Sequence, residues 1–120
     1  MSKLILTVDD SATMRQLMNF TLTKAGFVVV EASDGMEALG LLVTHQPALV
    51  ITDQNMPNMD GLTFIERLRA MPKHRFIPAL VLTTETSPEL KLRGKAVGAT
   101  GWLVKPFNPE KLLEVVAKIL

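Results

Sequence analysis

One stretch, Leu49-Val50-Ile51-Thr52-Asp53-Gln54-Asn55-Met56-Pro57, decides the fold of this chain. A short apolar run ends there in a carboxylate, and turn-forming residues follow it. An apolar run of this length, bounded by turn residues, is typical of a strand that is buried on both faces of a parallel sheet. Asp53 is then expected at the carboxyl end of the strand, where open α/β sheets collect their ligands.

Three further apolar runs end in polar side chains in the same way. They are Leu4–Val8 before Asp9 and Asp10, Ala79–Leu82 before Thr83, and Trp102–Val104 before Lys105. The carboxyl ends of parallel strands lie along one edge of a sheet. We therefore expect three carboxylates, a hydroxyl and an ammonium group to converge on one rim.

The composition indicates one globular domain, which we place at residues 1–120. Hydrophobic residues make up 48% of the chain and charged residues 21%, which argues against intrinsic disorder. The 13 basic and 12 acidic side chains give a formal charge of +1, so no overall field favours nucleic acid or an anionic membrane. The absence of cysteine excludes disulfides and thiolate metal sites. No apolar segment is long enough for a membrane span, and we expect a cytoplasmic protein.

Five strands alternate with five helices along the sequence. The strands are expected at Leu4–Val8, Phe27–Val30, Ala48–Thr52, Ala79–Leu82 and Trp102–Val104. The helices are expected to begin after the capping residues Ser11, Asp34, Asp60, Ser87 and Asn108. This alternation predicts a parallel sheet with helices on both faces, because each crossover contains a helix and is right-handed. Five strands are few for a closed barrel, so we predict an open, doubly wound α/β sheet.

Two local patterns lead to further expectations about burial. The second helix is predicted to bury the residues that recur at helical spacing, Met36, Leu39, Leu42 and Val43. Residues Pro72–Pro78 are predicted to form a solvated loop. His45 and His74 are expected at the surface, and neither is assigned a role.

Asp9, Asp10 and Asp53 are predicted to be close neighbours. Like charges in close quarters raise each other's pKa and oppose ionisation, and a bound cation removes that cost. Oxygen ligands without His or Cys favour a hard ion, and Mg²⁺ typically keeps several waters beside one or two carboxylates. We expect Asp10 and Asp53 to be direct ligands and Asp9 to act through water. For Asp10 alone, a helix cap or a solvated position is an equally good interpretation.

Lys105 and Thr83 complete the predicted rim. Lys105 follows three apolar residues and points at the acidic cluster, which favours pairing with a carboxylate or phosphoryl group over a solvated charge. The bond before Pro106 is a candidate for a cis peptide, since X–Pro bonds adopt that form. Thr83 is interpreted as a donor to an anion at the cation site. The alternative is a strand-end hydroxyl bonded to the backbone.

Together these motifs resemble the receiver domain of two-component response regulators, over essentially the whole chain. The motifs are Asp9-Asp10, Asp53, Met56-Pro57 with Asp60-Gly61, Thr83, and Lys105-Pro106-Phe107. Because the sequence ends with its fifth helix, the narrower match is to single-domain chemotaxis regulators of the CheY-like type. Thr13-Met14-Arg15 and Gly101–Phe107 support that match. The resemblance implies a flavodoxin-like fold with strand order 2-1-3-4-5.

The resemblance also implies a function in signalling. Asp53 would accept a phosphoryl group from a phosphohistidine of a chemotaxis-type histidine kinase, with Mg²⁺ bound and the backbone carbonyl of Asn55 completing the metal shell. Lys105 and Thr83 would neutralise the developing charge. The protein would not be an enzyme in the usual sense, although phosphotransfer and autodephosphorylation are its own chemistry. We expect a monomer whose fourth helix, fifth strand and fifth helix bind a target, with a flagellar motor switch and a phosphatase as candidate partners.

Trp102 is the candidate switch residue. The family has an aromatic residue there, usually Tyr or Phe, that swings inward when the Thr hydroxyl moves toward the phosphoryl group. Trp departs from that pattern. We hypothesise that the coupling between Thr83 and Trp102 survives with a partly exposed ring. The alternative is a half-buried aromatic that fills space on an edge strand.

A phosphate sink, or a regulator of a chemosensory-like pathway other than the motor, uses the same transfer chemistry, and the sequence does not distinguish these alternatives from a motor regulator. Other functions agree less well with the residues. A phosphatase with an aspartyl nucleophile would need a second acid two residues after Asp53, where Asn55 stands, and a cap region for which the chain has no room. A module that has lost phosphorylation is disfavoured by the intact set of acids.

Overall fold

Five strands form one parallel sheet in the order β2-β1-β3-β4-β5. They are Leu4–Val8 (β1), Val28–Ala32 (β2), Leu49–Asp53 (β3), Ala79–Thr83 (β4) and Gly101–Val104 (β5). The structure is a computed structural model that describes residues 3–85 and 87–120, so residues 1, 2 and 86 of the predicted domain lie outside the described residues. The doubly wound, flavodoxin-like fold and its strand order are confirmed.

Five helices connect and follow the strands. They are Ala12–Lys24 (α1), Gly35–Thr44 (α2), Gly61–Arg69 (α3), Pro88–Val97 (α4) and Pro109–Ile119 (α5). Each of the five predicted capping side chains accepts a hydrogen bond from the backbone N–H three residues later. Gly98 closes α4 with a φ of 88°, a left-handed conformation that favours glycine. No helix in the described part of the chain has the length and apolar character that a membrane crossing requires.

The sheet separates two hydrophobic cores. Successive residues of a strand point to opposite faces, so Leu49 and Ile51 pack in the core with α1 and α5, while Val50 packs in the core with α2, α3 and α4. Every residue of β3 is buried, as the sequence predicts for the central strand. Its last residue, Asp53, therefore emerges from the middle of the sheet.

β1 has the predicted bounds, and the other four strands differ from the predicted ones by one or two residues at one or both ends. β2 runs to Ala32 and includes Glu31, whose polar side chain breaks the apolar pattern. This is possible because β2 is an edge strand, and Glu31 accepts a hydrogen bond from Asn19 at 2.7 Å and pairs with Arg15 at 3.4 Å. β3 likewise extends to the polar residue Asp53, and β4 extends to Thr83.

The predicted buried stripe of α2 is wrong in two of its four positions. Met36 is 60% exposed and Val43 is 65% exposed. The fully buried side chains of this helix are Ala38 and Leu42, and its first residue, Gly35, is also buried. Two of the three buried residues of α2 are therefore small, and the apolar side chains of Met36 and Val43 lie at the surface.

The predicted solvated loop after α3 is also wrong. Residues Pro72–His74 form a 3₁₀ turn, and the His74 side chain is completely buried. Its Nε2 lies 2.7 Å from the backbone oxygen of Leu42. His45, which is half-buried, places Nδ1 2.9 Å from the oxygen of Leu41. A carbonyl only accepts, so both ring nitrogens are donors, and both histidines complete the hydrogen bonding at the C-terminus of α2.

Candidate functional site

The polar ends of β1, β3 and β5 meet at the carboxyl edge of the sheet. The Lys105 Nζ atom lies 3.0 Å from Oδ1 of Asp53 and 3.6 Å from Oδ2 of Asp9. Asp9 is fully buried and Asp53 is 6% exposed. Lys105 follows directly after β5, so the predicted pairing of its ammonium group with the acidic cluster is confirmed. The Lys105–Pro106 peptide bond is cis, also as predicted.

Asp10 joins the same cluster from a more exposed position. Carboxylate oxygens of Asp9, Asp10 and Asp53 lie within 4.8 Å of one another. Burial raises the pKa of Asp9, and so does the charge of Asp53. The hydrogen bond from the Ser11 backbone N–H to Asp9 Oδ1, 2.9 Å long, and the charge of Lys105 act in the opposite direction.

The acidic cluster fits a hard divalent cation. Among the residues that the structure describes, three carboxylates around a single ammonium group leave two negative charges uncompensated when all three are ionised. The buried Oδ2 atom of Asp9 accepts no hydrogen bond from the residues that the structure describes. Oxygen-only ligands are the set that Mg²⁺ and Ca²⁺ prefer. This pocket can therefore hold a metal ion, while the division into direct and water-mediated ligands stays a prediction.

Thr83 ends β4 beside this cluster and is buried. Its hydroxyl oxygen accepts a hydrogen bond from the backbone N–H of Glu85 at 2.9 Å. This contact agrees with the alternative interpretation of Thr83 as a hydroxyl bonded to the backbone. A hydroxyl also carries one donor hydrogen, which this bond does not use. Its predicted role as a donor to an anion is therefore compatible with the contact, and it stays a prediction.

Asn55 and Trp102 are the two remaining residues that the sequence predicts for the site. Asn55 is exposed in the segment after β3, and the role of its carbonyl as a metal ligand stays a prediction. Trp102 is half-buried on β5 and packs against the core formed with α2, α3 and α4. A Cβ atom at Gly94 would lie 2.3 Å from Cζ2 of the indole ring, so the ring lies directly on the backbone of α4.

The sequence did not reveal several residues that support the site. Arg15 donates from Nη1 to the backbone oxygen of Asp9 at 2.6 Å. Gln54 is buried, and its Oε1 accepts a hydrogen bond from the backbone N–H of Leu62 at 2.9 Å. Gln54 thereby joins the end of β3 to the start of α3. The Asp60-Gly61 pair was the available local signal, but it was interpreted as a helix cap and a family motif and not as a contact with the end of β3.

The comparisons with known proteins agree with this geometry. Residues 5–117 match the family described as the response regulator receiver domain. A chemotaxis protein CheY homolog from Campylobacter jejuni is 39% identical over 118 residues, which cover 97% of this chain and 91% of that protein. Chemotaxis protein CheY1 from Helicobacter pylori is 37% identical over 97% of this chain and 95% of its own length.

Solved structures give the same result. Vibrio cholerae chemotaxis protein CheY4 is 49% identical, with a TM-score of 0.97 and complete coverage of both chains. A response regulator protein from Burkholderia multivorans is 46% identical, with a TM-score of 0.80, and 99% of this chain and 95% of that chain are covered. From the matched span and these identities together, the chain belongs to the response regulator receiver family, and it is a CheY-like regulator of the chemotaxis type.

Proposed function

We propose that Asp53 accepts a phosphoryl group from the phosphohistidine of a chemotaxis-type histidine kinase. The observation that carries this proposal is the contact of 3.0 Å between Lys105 and Asp53 inside a cluster of three carboxylates. A carboxylate oxygen of Asp53 forms the new bond to phosphorus as the P–N bond breaks. The electron pair of that bond leaves with the imidazole nitrogen. The reaction needs positioning and charge neutralisation more than covalent chemistry from the protein.

Each residue of the pocket has a distinct role in this proposal. Lys105 neutralises charge on Asp53 and on the incoming phosphoryl oxygens, and Thr83 donates its free hydroxyl hydrogen to one of those oxygens. Asp10, Asp53 and the backbone carbonyl of Asn55 would hold Mg²⁺, with Asp9 acting through water. Bound there, Mg²⁺ supplies further charge neutralisation at the phosphoryl group. In the same pocket a water molecule later attacks the phosphorus, the P–O bond to Asp53 breaks and phosphate leaves, which restores the carboxylate. Both steps serve a signalling protein and not a metabolic enzyme.

The output surface that we propose is formed by α4, β5 and α5. A surface groove of about 540 Å³ lies there, lined by Trp102, Val104, Phe107, Asn108 and Lys111 among others. Val104 is 46% exposed in this groove, although it is apolar. We propose that the phosphorylated monomer uses this surface in the cytoplasm to bind a target such as a flagellar motor switch, and that a phosphatase resets it. A phosphate sink remains the alternative, and it differs in needing no target at this groove.

Phosphotransfer from a phosphorylated chemotaxis-type kinase tests the proposal. Wild-type protein with Mg²⁺ should acquire base-labile phosphate, and Asp53→Asn should acquire none because the amide is not a nucleophile at this position. Glu114→Gln, on the exposed surface of α5, serves as the control and should be labelled like wild type. Equal labelling of wild type and Asp53→Asn would place the phosphoryl group elsewhere and overturn the proposal.

A further inference from the structure

An ion pair holds α4 against the first turn of α3. Arg93 Nη1 lies 2.8 Å from Oδ2 of Asp60, and Nη2 lies 3.0 Å from Oδ1 of the same carboxylate. Nη2 also donates to the hydroxyl of Thr63 at 2.9 Å. A guanidinium group that binds both oxygens of a carboxylate fixes orientation as well as distance. Arg93 therefore fixes how one turn of α4 sits on the beginning of α3.

The same turn of α3 lies directly on the backbone of the proposed phosphoacceptor. A Cβ atom at Gly61 would lie 2.4 Å from the backbone oxygen of Asp53, so only glycine allows this approach. The N–H of Gly61 donates to the backbone oxygen of Gln54 at 3.0 Å, and the Gln54 side chain accepts from Leu62. Since the first turn of α3 is bonded to residue 54 and touches residue 53, a shift at the end of β3 displaces that turn as well.

The other end of this connection is Trp102. Its indole ring lies on Gly94, the residue after Arg93, where a Cβ atom would lie 2.3 Å from Cζ2 and 2.9 Å from Cη2. The turn of α4 that carries the ion pair is therefore the turn that supports the ring. Contacts and peptide bonds therefore connect Asp53 to Trp102 through Gly61, Asp60, Arg93 and Gly94.

We infer that Arg93 is a positioning residue that couples the acidic pocket to Trp102 through α3 and α4, by a route that does not use the Thr83 hydroxyl. The inference rests on the proposed function in taking a phosphoryl group as the ligand at Asp53. The ion pair is half-exposed, with side-chain exposures of 44% for Arg93 and 33% for Asp60. We therefore expect the coupling between the pocket and Trp102 to be as weak as the contribution of a surface ion pair.

The test compares three substitutions in α4 in the full chain. Arg93→Gln removes the charge, Arg93→Lys keeps the charge but loses the bidentate contact, and Lys91→Gln is the exposed control on the same helix. Binding of beryllium fluoride with Mg²⁺ is measured by calorimetry, and access to Trp102 is measured by acrylamide quenching. Arg93→Gln should weaken beryllium fluoride binding by about two- to fivefold and increase quenching of Trp102. Arg93→Lys should lie between it and wild type, and Lys91→Gln should match wild type.

Binding by Arg93→Gln that is unchanged or tighter, or quenching equal to that of wild type, overturns the inference. Thr63→Val is the milder second variant, since it removes the hydroxyl that accepts from Arg93 and bonds to Asp60 but leaves the bidentate contact between Arg93 and Asp60 in place, and it should shift both readouts in the same direction. A wild-type protein that binds no beryllium fluoride contradicts the proposed function instead. In that case the affinity for Mg²⁺ alone is compared in the same variants. The expected order of affinity is the same, with Arg93→Gln weakest, Arg93→Lys intermediate and Lys91→Gln equal to wild type.

Discussion

The carboxyl edge of the sheet carries three carboxylates around one ammonium group, whereas the opposite edge carries cations. Because all strands are parallel, the helices that connect them end at that opposite edge. Basic side chains lie in the last turns of α1, α3, α4 and α5 and in the 3₁₀ turn after α3. The segments 25–27, 45–48, 70–78 and 98–100, which lead into the strands, contain no Asp or Glu. The formal net charge of +1 is therefore the sum of a negative carboxyl edge and a positive opposite edge.

The charges at the two edges also differ in how they are neutralised. Arg69, at the end of α3, donates to the backbone oxygens of Ile77 at 2.6 Å and Gly98 at 2.8 Å. Cations near the C-termini of helices also interact favourably with the helix dipole. The backbone thus supplies the partners of Arg69, while the carboxylates of Asp9, Asp10 and Asp53 outnumber the one ammonium group beside them in the described part of the chain. Arg69 has its partners within the protein, whereas the acidic pocket leaves charge for a ligand to neutralise.

Removing Arg69 should have the largest effect on stability and none on the acidic pocket. Partial burial lowers the pKa of Arg69 from its ordinary value, yet guanidinium stays charged at neutral pH. Arg69→Ala leaves the oxygens of Ile77 and Gly98 without their donor, and we expect the free energy of unfolding to fall by about 2–3 kcal/mol. Urea unfolding measures this loss, and a Mg²⁺ titration of the folded variant should match that of wild type.

Arg67→Ala is the matched control for Arg69. Arg67 lies two residues earlier on α3 and is exposed, so its loss should change stability by less than about 0.5 kcal/mol. The contrast between the edges breaks down if Arg69→Ala weakens Mg²⁺ binding severalfold. That outcome would mean that the cationic edge contributes to the acidic pocket across the length of the sheet.

Removing Lys105 should affect stability and ion binding in opposite directions. Lys105→Met leaves Asp9 and Asp53 without their cation, and because Lys105 is itself partly exposed we expect a loss of about 1–3 kcal/mol in the absence of divalent ions. Mg²⁺ should bind more tightly to this variant, because the pocket goes from three carboxylates and one ammonium group to three carboxylates alone. Added Mg²⁺ should also restore more stability to the variant than to wild type.

Calorimetric titration with Mg²⁺ measures the affinity, with Lys111→Met, exposed at the start of α5, as the control. Weaker Mg²⁺ binding by Lys105→Met would show that the lysine holds the carboxylates in place for the ion. The net charge of the pocket would then not be what governs its affinity.

These two edges were not equally predictable from the sequence. At the carboxyl edge, each polar residue follows its own apolar strand, so local patterns and the geometry of parallel sheets were sufficient to bring Asp9, Asp53 and Lys105 together. At the opposite edge, the loop after α3 has neither periodicity nor apolar runs. Burial of His74 there depends on the backbone oxygen of Leu42, 32 residues away, which no local pattern identifies.

The contacts of α4 show the same limit within the site. Arg93 and Asp60 are separated by 33 residues, and a charged residue on a helix with other charged residues predicts only a solvated face. Gly94 lies in a helix and has no turn or unusual φ that would mark it in the sequence. A glycine is needed there because a Cβ atom would collide with the Trp102 ring. Strand ends are set by local sequence, whereas helix-to-helix contacts depend on distances that only the folded chain defines.

The smallest expected effect lies in the pH dependence of the ion pair between Arg93 and Asp60. Partial burial alone would raise the pKa of Asp60, but hydrogen bonds from Arg93 and from the backbone N–H and hydroxyl of Thr63 hold it below its ordinary value of 3.8. A carboxyl group whose pKa is lower in the folded than in the unfolded chain stabilises the folded state above the unfolded pKa. That contribution is lost as the pH falls through the folded pKa.

Arg93→Gln should therefore lower the free energy of unfolding by at most about 1 kcal/mol at neutral pH. The difference from wild type should shrink as the pH falls below about 4, because Asp60 is protonated first in the unfolded chain and then, below its lower folded pKa, in the folded chain as well. Urea unfolding of both proteins from neutral pH down to the acid limit of folding measures the difference, and high salt should reduce it at neutral pH. A difference that is constant over the whole range would mean that Arg93 stabilises α4 through the packing of its side chain. Its charge would then be expendable, and Arg93→Lys should be no better than Arg93→Gln at preserving the contact between α3 and α4.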